Sequence, residues 1–358
     1  MRLDQLLPGF GSGDAISNYA LALQEIARGW GLDSTLYCEP RHVHPAVERF
    51  CEDYRRLPSP GDPSNITLFH FSVGSPLSDY FARLRTRKVL VYHNITPADW
   101  FDGVHEEKAR VLRAGREEMR ALAGVPDLAL GVSEFNRREL EQFGFSPTGV
   151  LPLVADPAKL SSAPDPVFLR RFGDGAANLL SVGRVVPNKR VEDLIKIYYY
   201  YRNTVDPRSR LIVAGAMTGM DRYTALLRSL VTVLDLPDVV FLNHVTDAEL
   251  FALYRTASVF LSMSEHEGFC IPLLEAMQFR VPVIAYAAAA VPETLAEAGV
   301  LVKEKRFPAI AELAGRILAD PALKTAIVER QLPRLASFSR EAVAARLRTL
   351  LEPWLEKG

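Results

Sequence analysis

Short runs of apolar residues, rich in Val, Ile and Leu and with little alternation, recur along the chain. Between them lie stretches whose apolar positions repeat at helical spacing. The first pattern predicts strands buried on both faces, as in a parallel sheet, and the second predicts amphipathic helices. Strands are expected at 66–71, 88–92, 128–132, 178–182, 210–214, 239–242, 259–262 and 281–285. Helices are expected at 15–28, 105–123, 191–201, 223–234 and 247–256. Strand and helix alternating over the whole length predict an α/β chain. Residues 152–174 contain Pro152, Pro157, Pro164 and Pro166 and read as a linker between two βα series. A second break is expected around 333–340, ahead of a last helical pattern at 340–354. The pattern predicts two doubly wound, Rossmann-like domains facing across a cleft, with a ligand at the carboxyl ends of the strands. The expected division is 1–160 and 161–339, with a last helix at 340–358.

Length and composition narrow the classes. A chain of 358 residues with 48% hydrophobic and 24% charged residues can build two full cores. Its 42 basic and 43 acidic residues give a net charge of -1, without the basic excess expected of a nucleic-acid partner. Three cysteines do not suggest a disulfide framework, and Cys38, His42, His44 and Cys51 fit no zinc spacing. Neither a signal peptide nor a membrane-spanning run is expected, which points to the cytoplasm. The four tyrosines at 198–201 are expected to be packing and a wet helix edge.

Four segments carry candidate chemistry. Residues 264–277, Ser-Glu-His-Glu-Gly-Phe-Cys-Ile-Pro-Leu-Leu-Glu-Ala-Met, follow a predicted strand and open a helix. Pro272 suits the first turn, and the amides of Gly268, Phe269, Cys270 and Ile271 are placed to form an anion site strengthened by the helix dipole. Glu267 and Glu275 flank it, and carboxylates suit vicinal hydroxyls of ribose or another sugar. Residues 181–190 leave a strand through Gly183 and carry Arg184 and Lys189 five apart, a planar fork and a compact charge suited to a diphosphate. The loop 8–14, Pro-Gly-Phe-Gly-Ser-Gly-Asp, brings Gly11, Gly13 and Asp14 to the start of a helix and allows close backbone approach to phosphates or a sugar. Finally, His93 ends a predicted strand, where active sites of parallel sheets form. No Asp-x-Asp pair is present to hold a divalent ion, so no metal and no cofactor are expected.

Together these segments resemble glycosyltransferase family 4, retaining nucleotide-sugar-dependent enzymes of the GT-B fold. The resemblance rests on Glu267 and Glu275 as an E-x7-E pair, on Val-Gly-Arg-x4-Lys at 182–189, and on the landmarks 132–140 and 151–156. Residues 13–18 and 93–97 look like the members that build bacterial surface polysaccharides. Where the family has Gly after Phe269, this chain has Cys270.

That resemblance implies transfer of a hexose from a GDP- or UDP-linked donor to a glycan or lipid-linked acceptor, with retention. It implies Glu275 on the ribose, Glu267 on the donor sugar, and Arg184 and Lys189 on the leaving diphosphate. The Gly11–Gly13 loop and the amides of 268–271 would assist, His93 would contact the sugar, and Asn243, His244 and Val245 would meet the base. An acceptor would be held by N-terminal loops where Trp100 and Phe101 stack on a sugar face. A lipid-linked acceptor would bring peripheral contact with the inner membrane. The alternatives are a sugar-nucleotide epimerase of the same fold, a non-catalytic partner subunit and, last, a Rossmann oxidoreductase.

Overall fold

The computed structural model describes residues 1–11, 13–58, 61–155 and 163–355. The chain divides into two compact units, one of residues 1–99, 107–154 and 338–358, the other of residues 100–106 and 155–337.

In the first unit the strands are β1 (Leu3–Leu7), β2 (Leu36–Cys38), β3 (Glu52–Asp53), β4 (Ile66–Phe71), β5 (Arg87–Tyr92), β6 (Leu128–Gly131) and β7 (Thr148–Val150). They form one parallel sheet in the order β3-β2-β1-β4-β5-β6-β7. Order reverses between β1 and β4, which opens a crevice at the carboxyl ends of those strands. Phe69, Phe71, Phe81, Tyr92 and Met119 belong to the core on one side of the sheet. Leu7, Ala20 and Leu36 share a smaller cluster with Phe10 under the helix Ala15–Gly29. The last helix, Arg340–Leu355, joins this unit. It buries Val343, Leu347 and Leu351, and Arg340 pairs with Glu25.

The second unit holds β8 (Ala177–Val182), β9 (Ser209–Ala214), β10 (Val239–Leu242), β11 (Val259–Ser262), β12 (Val283–Tyr286) and β13 (Val300–Val302). These are parallel in the order β10-β9-β8-β11-β12-β13, with the switch between β8 and β11. Tyr198 and Tyr201 are buried under this sheet while Tyr199 and Tyr200 stay half-exposed.

Seven of the eight expected strands lie within a residue of their predicted start and end. The eighth starts at Val283 because Pro282 has no N–H to enter the ladder. β1 is missing from the prediction because Asp4 and Gln5 interrupt its apolar run, although both are buried. Within 152–174 the chain forms a helix, Pro166–Phe172. Asp165 caps it by accepting from the Val167 and Phe168 amides at 2.8 Å, and proline stands at its start. Residues 156–162 of that stretch, Pro157 among them, lie outside the described residues. The second break is also shorter than expected. Pro333 sits in the first turn of the helix Gln331–Ala336, where a missing N–H costs nothing. Among the described residues no helix is long and apolar enough to cross a membrane.

Candidate active site

The loops that follow β8 and β11 meet at the switch point of the second unit. Gly183, Arg184, Lys189, Ser262, Ser264 and Glu267 line one pocket there. Asn188 stitches the two loops together. Its side-chain amide donates to the His266 carbonyl at 3.0 Å, and its own carbonyl accepts from the Glu265 amide at 2.9 Å and the Ser264 hydroxyl at 3.1 Å. Lys189 is thereby held against Glu267, with Nζ 2.5 Å from Oε1. Burial disfavours the lysine charge, but the Glu267 carboxylate more than offsets this and raises its pKa. Arg184 lines the same pocket from an exposed position. Two cations and one carboxylate thus face one cavity, an arrangement suited to a polyanion bearing hydroxyls.

A second set of contacts fixes the Glu267 loop from below. The Thr294 hydroxyl donates to the Phe269 carbonyl at 2.6 Å, and the Ala290 amide to the Glu267 carbonyl at 3.2 Å. Lys305 reaches Asp193 at 2.8 Å, Glu265 at 2.5 Å and the Met263 carbonyl at 3.0 Å. Cys270 caps the helix Ile271–Gln278 with φ at 74°, the left-handed region. This is why glycine suits the position and why the cysteine there carries backbone strain. Burial, with Glu267 beside it, pushes the Cys270 thiol well above its ordinary value and keeps it neutral. Further along the helix, Glu275 accepts from the Tyr254 hydroxyl at 2.8 Å, which orients its carboxylate.

Behind the cation loop, the backbones of Gly183 and Gly215 approach so closely that a side chain at Gly215 would overlap the Gly183 carbonyl. His244 is exposed and Val245 half-buried in the loop after β10, where Asn243 Oδ1 accepts from the Met217 amide at 3.2 Å.

In the first unit the glycine loop serves its own helix. Asp14 caps Ala15–Gly29 by accepting from the Ser17 amide at 2.9 Å and the Ser17 hydroxyl at 2.8 Å, and the Gly11 amide donates to that hydroxyl at 3.0 Å. Gly13 turns with φ at 71°, and Ser12 lies outside the described residues. His93 follows β5, half-buried, with its amide on the Phe71 carbonyl at 2.9 Å. Trp100 and Phe101, expected in the N-terminal part, belong to the second unit, and Phe101 is 2% exposed, which removes it from the expected sugar-stacking pair because its ring is already covered by protein. Trp100 is half-buried. Among the described residues no three His, Cys, Asp or Glu side chains are grouped to hold a metal ion.

Residues 170–331, which include every residue of the pocket just described, match the family model of glycosyl transferases group 1. This segment resembles a group 1 glycosyl transferase domain. The chain is 26% identical over 270 residues to O-antigen chain mannosyltransferase B of Escherichia coli, spanning 73% of this chain and 69% of that protein. It is 26% identical over 264 residues to a GDP-mannose-dependent monoacylated phosphatidylinositol monomannoside mannosyltransferase of Corynebacterium glutamicum, covering 69% and 68%. Its fold is that of sucrose-phosphate synthase from Thermosynechococcus elongatus, with a TM-score of 0.74 at 18% identity over 100% of both chains.

Asn188, Tyr254, Thr294 and Lys305 were not legible as site residues. Asn188 carries a turn signal in Pro187-Asn-Lys189, whereas the other three reach the site from elements distant in sequence.

Proposed function

We propose that this protein moves a mannose-type hexose from its GDP-linked donor to a glycan or lipid-linked acceptor of a bacterial surface polysaccharide, with retention of configuration. One observation carries the reading: Lys189 and Arg184 line the same pocket as Glu267, at the carboxyl ends of the two switch-point strands. The choice of GDP and mannose is supported by the two relatives above, a mannosyltransferase of O-antigen and one that depends on GDP-mannose.

In this reading Glu275, oriented by Tyr254, holds the ribose, and Glu267 holds the hexose. His93 accepts a sugar hydroxyl, while Asn243, His244 and Val245 meet the base through backbone groups. As the bond from C1 to the diphosphate oxygen breaks, its electron pair passes to the leaving phosphate. Charge then grows where Lys189, Arg184 and the helix start at Cys270 and Ile271 are already placed. The acceptor oxygen bonds to C1 on the face the phosphate leaves, and its proton passes to that phosphate. With two cations and a helix dipole at the diphosphate, no metal ion is required, and no cofactor takes part. A lipid-linked acceptor would place the enzyme at the cytoplasmic face of the membrane.

Thermal unfolding in excess EDTA with GDP, UDP or ADP tests the donor. GDP at 100 times its dissociation constant adds about 2.7 kcal/mol, and stabilisation by GDP alone is expected. A shift that appears only with divalent metal would overturn metal independence. Transfer from GDP-mannose, followed by proton NMR of the product anomer, tests sugar and stereochemistry together.

A further inference from the structure

Gln5 on β1, His70 on β4 and His93 just beyond β5 stand on three neighbouring strands. Parallel pairing sets Gln5 beside Leu68 and His70 beside Val91, so the alternation of side chains puts all three on one face of the sheet. They form a chain of hydrogen bonds whose direction is fixed from one end. The Ala20 carbonyl only accepts, so the Gln5 side-chain nitrogen donates to it, at 2.9 Å, and Gln5 Oε1 faces His70. That oxygen also only accepts, so His70 Nε2 carries the proton and donates at 2.8 Å. His70 is 0% exposed, and burial lowers its pKa to about 3. Its ring is therefore neutral and its Nδ1 holds a lone pair. This atom lies 2.9 Å from His93 Nε2, which must donate. Burial, and His70 beside it, hold the His93 pKa well below its ordinary value, so this ring is neutral too. The remaining nitrogen, His93 Nδ1, is an acceptor. It is buried and has no hydrogen-bond partner among the described residues, an unpaired state that folded proteins seldom keep without a ligand or water to fill it.

We propose that Gln5 and His70 are positioning residues that hold His93 as its Nε2–H tautomer, so that it meets a hydroxyl of the transferred sugar with an accepting Nδ1. The identity of that partner rests on the transferase reading above; the tautomer does not. The other tautomer, or an imidazolium, would present a donor and reverse the direction of that hydrogen bond.

The test is a long-range proton–nitrogen NMR correlation of the full chain labelled with 15N-histidine at neutral pH, with His70 and His93 assigned from H70N and H93N. Both rings are expected neutral and protonated on Nε2. The substitution Gln5→Met removes the acceptor at nearly equal length and releases His70 to protonate on Nδ1. A mixed tautomer at His93 is then expected, with kcat/KM down about tenfold, the worth of one hydrogen bond. GDP affinity should be unchanged, since the diphosphate pocket lies in the other unit. His70→Asn keeps an accepting oxygen for His93 and should retain its tautomer. A His93 protonated on Nδ1 in the unaltered protein, or a Gln5→Met protein with unchanged tautomer and unchanged kcat/KM, would overturn the proposal. An intact relay in a protein that transfers no hexose would instead overturn the transferase reading, and with it the sugar as partner of Nδ1.

Discussion

Glu267→Gln keeps the shape of the side chain and removes its charge, which leaves Lys189 without the counter-charge 2.5 Å away. Breaking a fully buried ion pair costs about 3–5 kcal/mol. Here the Glu267 side chain is 8% exposed but Lys189 is 25% exposed, so solvent screens part of the orphaned charge. The expected loss is about 2 kcal/mol, or roughly 4–8 °C in the unfolding midpoint of a domain this size. Lys189→Met should cost a similar amount by stranding the carboxylate. Once both charges are gone neither is stranded, so the double variant should recover at least about 1 kcal/mol relative to the sum of the two singles. Calorimetry of the four proteins closes the cycle. A further consequence separates this pair from an ordinary structural one. Glu267 competes with an incoming diphosphate for Lys189, so GDP should raise the midpoint of Glu267→Gln more than that of the unaltered protein. Transfer should nevertheless fall by a factor of about 100 or more. Strictly additive losses, together with equal GDP shifts, would refute the idea that the two residues share one site.

Three further outcomes are expected. Because the folded-state pKa of His70 is depressed from 6.5 to about 3 and that of His93 is also lowered, their neutral forms stabilise the fold above pH 6.5, and this contribution disappears as pH falls. By pH 5 His70 costs about 2 kcal/mol and His93 acts in the same direction, so calorimetry should show the first unit losing stability steeply below pH 6.5, with a shallower slope in His70→Asn. In Gly215→Ala the new Cβ would lie 2.5 Å from the Gly183 carbonyl carbon and displace the loop that carries Arg184. Loss of about 1–3 kcal/mol and a GDP affinity lowered at least tenfold are expected by calorimetry and titration. Tyr254→Phe deletes the 2.8 Å hydrogen bond to Glu275. It should weaken GDP binding several-fold while leaving kcat for bound donor within about threefold, measured by steady-state kinetics.

Local pattern was enough for the longer strands other than β1 and for the residues next to them. Val259–Ser262 forms where an uninterrupted apolar run placed it, because a strand covered on both faces needs no polar alternation. Lys189 and Glu267 were also readable, each lying in a loop at the carboxyl end of such a strand. Their direct contact was not, since 78 residues separate them and Asn188 supplies the register between their loops. β1 and the Gln5–His70–His93 relay stayed hidden for a related reason. A polar residue inside a strand reads as a break in the pattern until its partner on the next strand is known, and pairing is a property of the sheet. Short β2, β3, β7 and β13, of two or three residues each, offer too little pattern to detect.

The shared strand order of the two sheets has a consequence for how chemistry is apportioned. Each unit places its polar cluster at the same topological address, yet the two clusters differ in electrical character. At β8 and β11 the groups are ionic, while at β1, β4 and β5 they are a string of neutral hydrogen bonds in which burial forbids charge. A nucleotide-sugar is itself divided in this way, with an anionic diphosphate joined to an uncharged polyol. The cations suit the anionic part of such a molecule, and the neutral lone pair suits a hydroxyl. An anion set against the neutral cluster would meet a nitrogen lone pair rather than a cation.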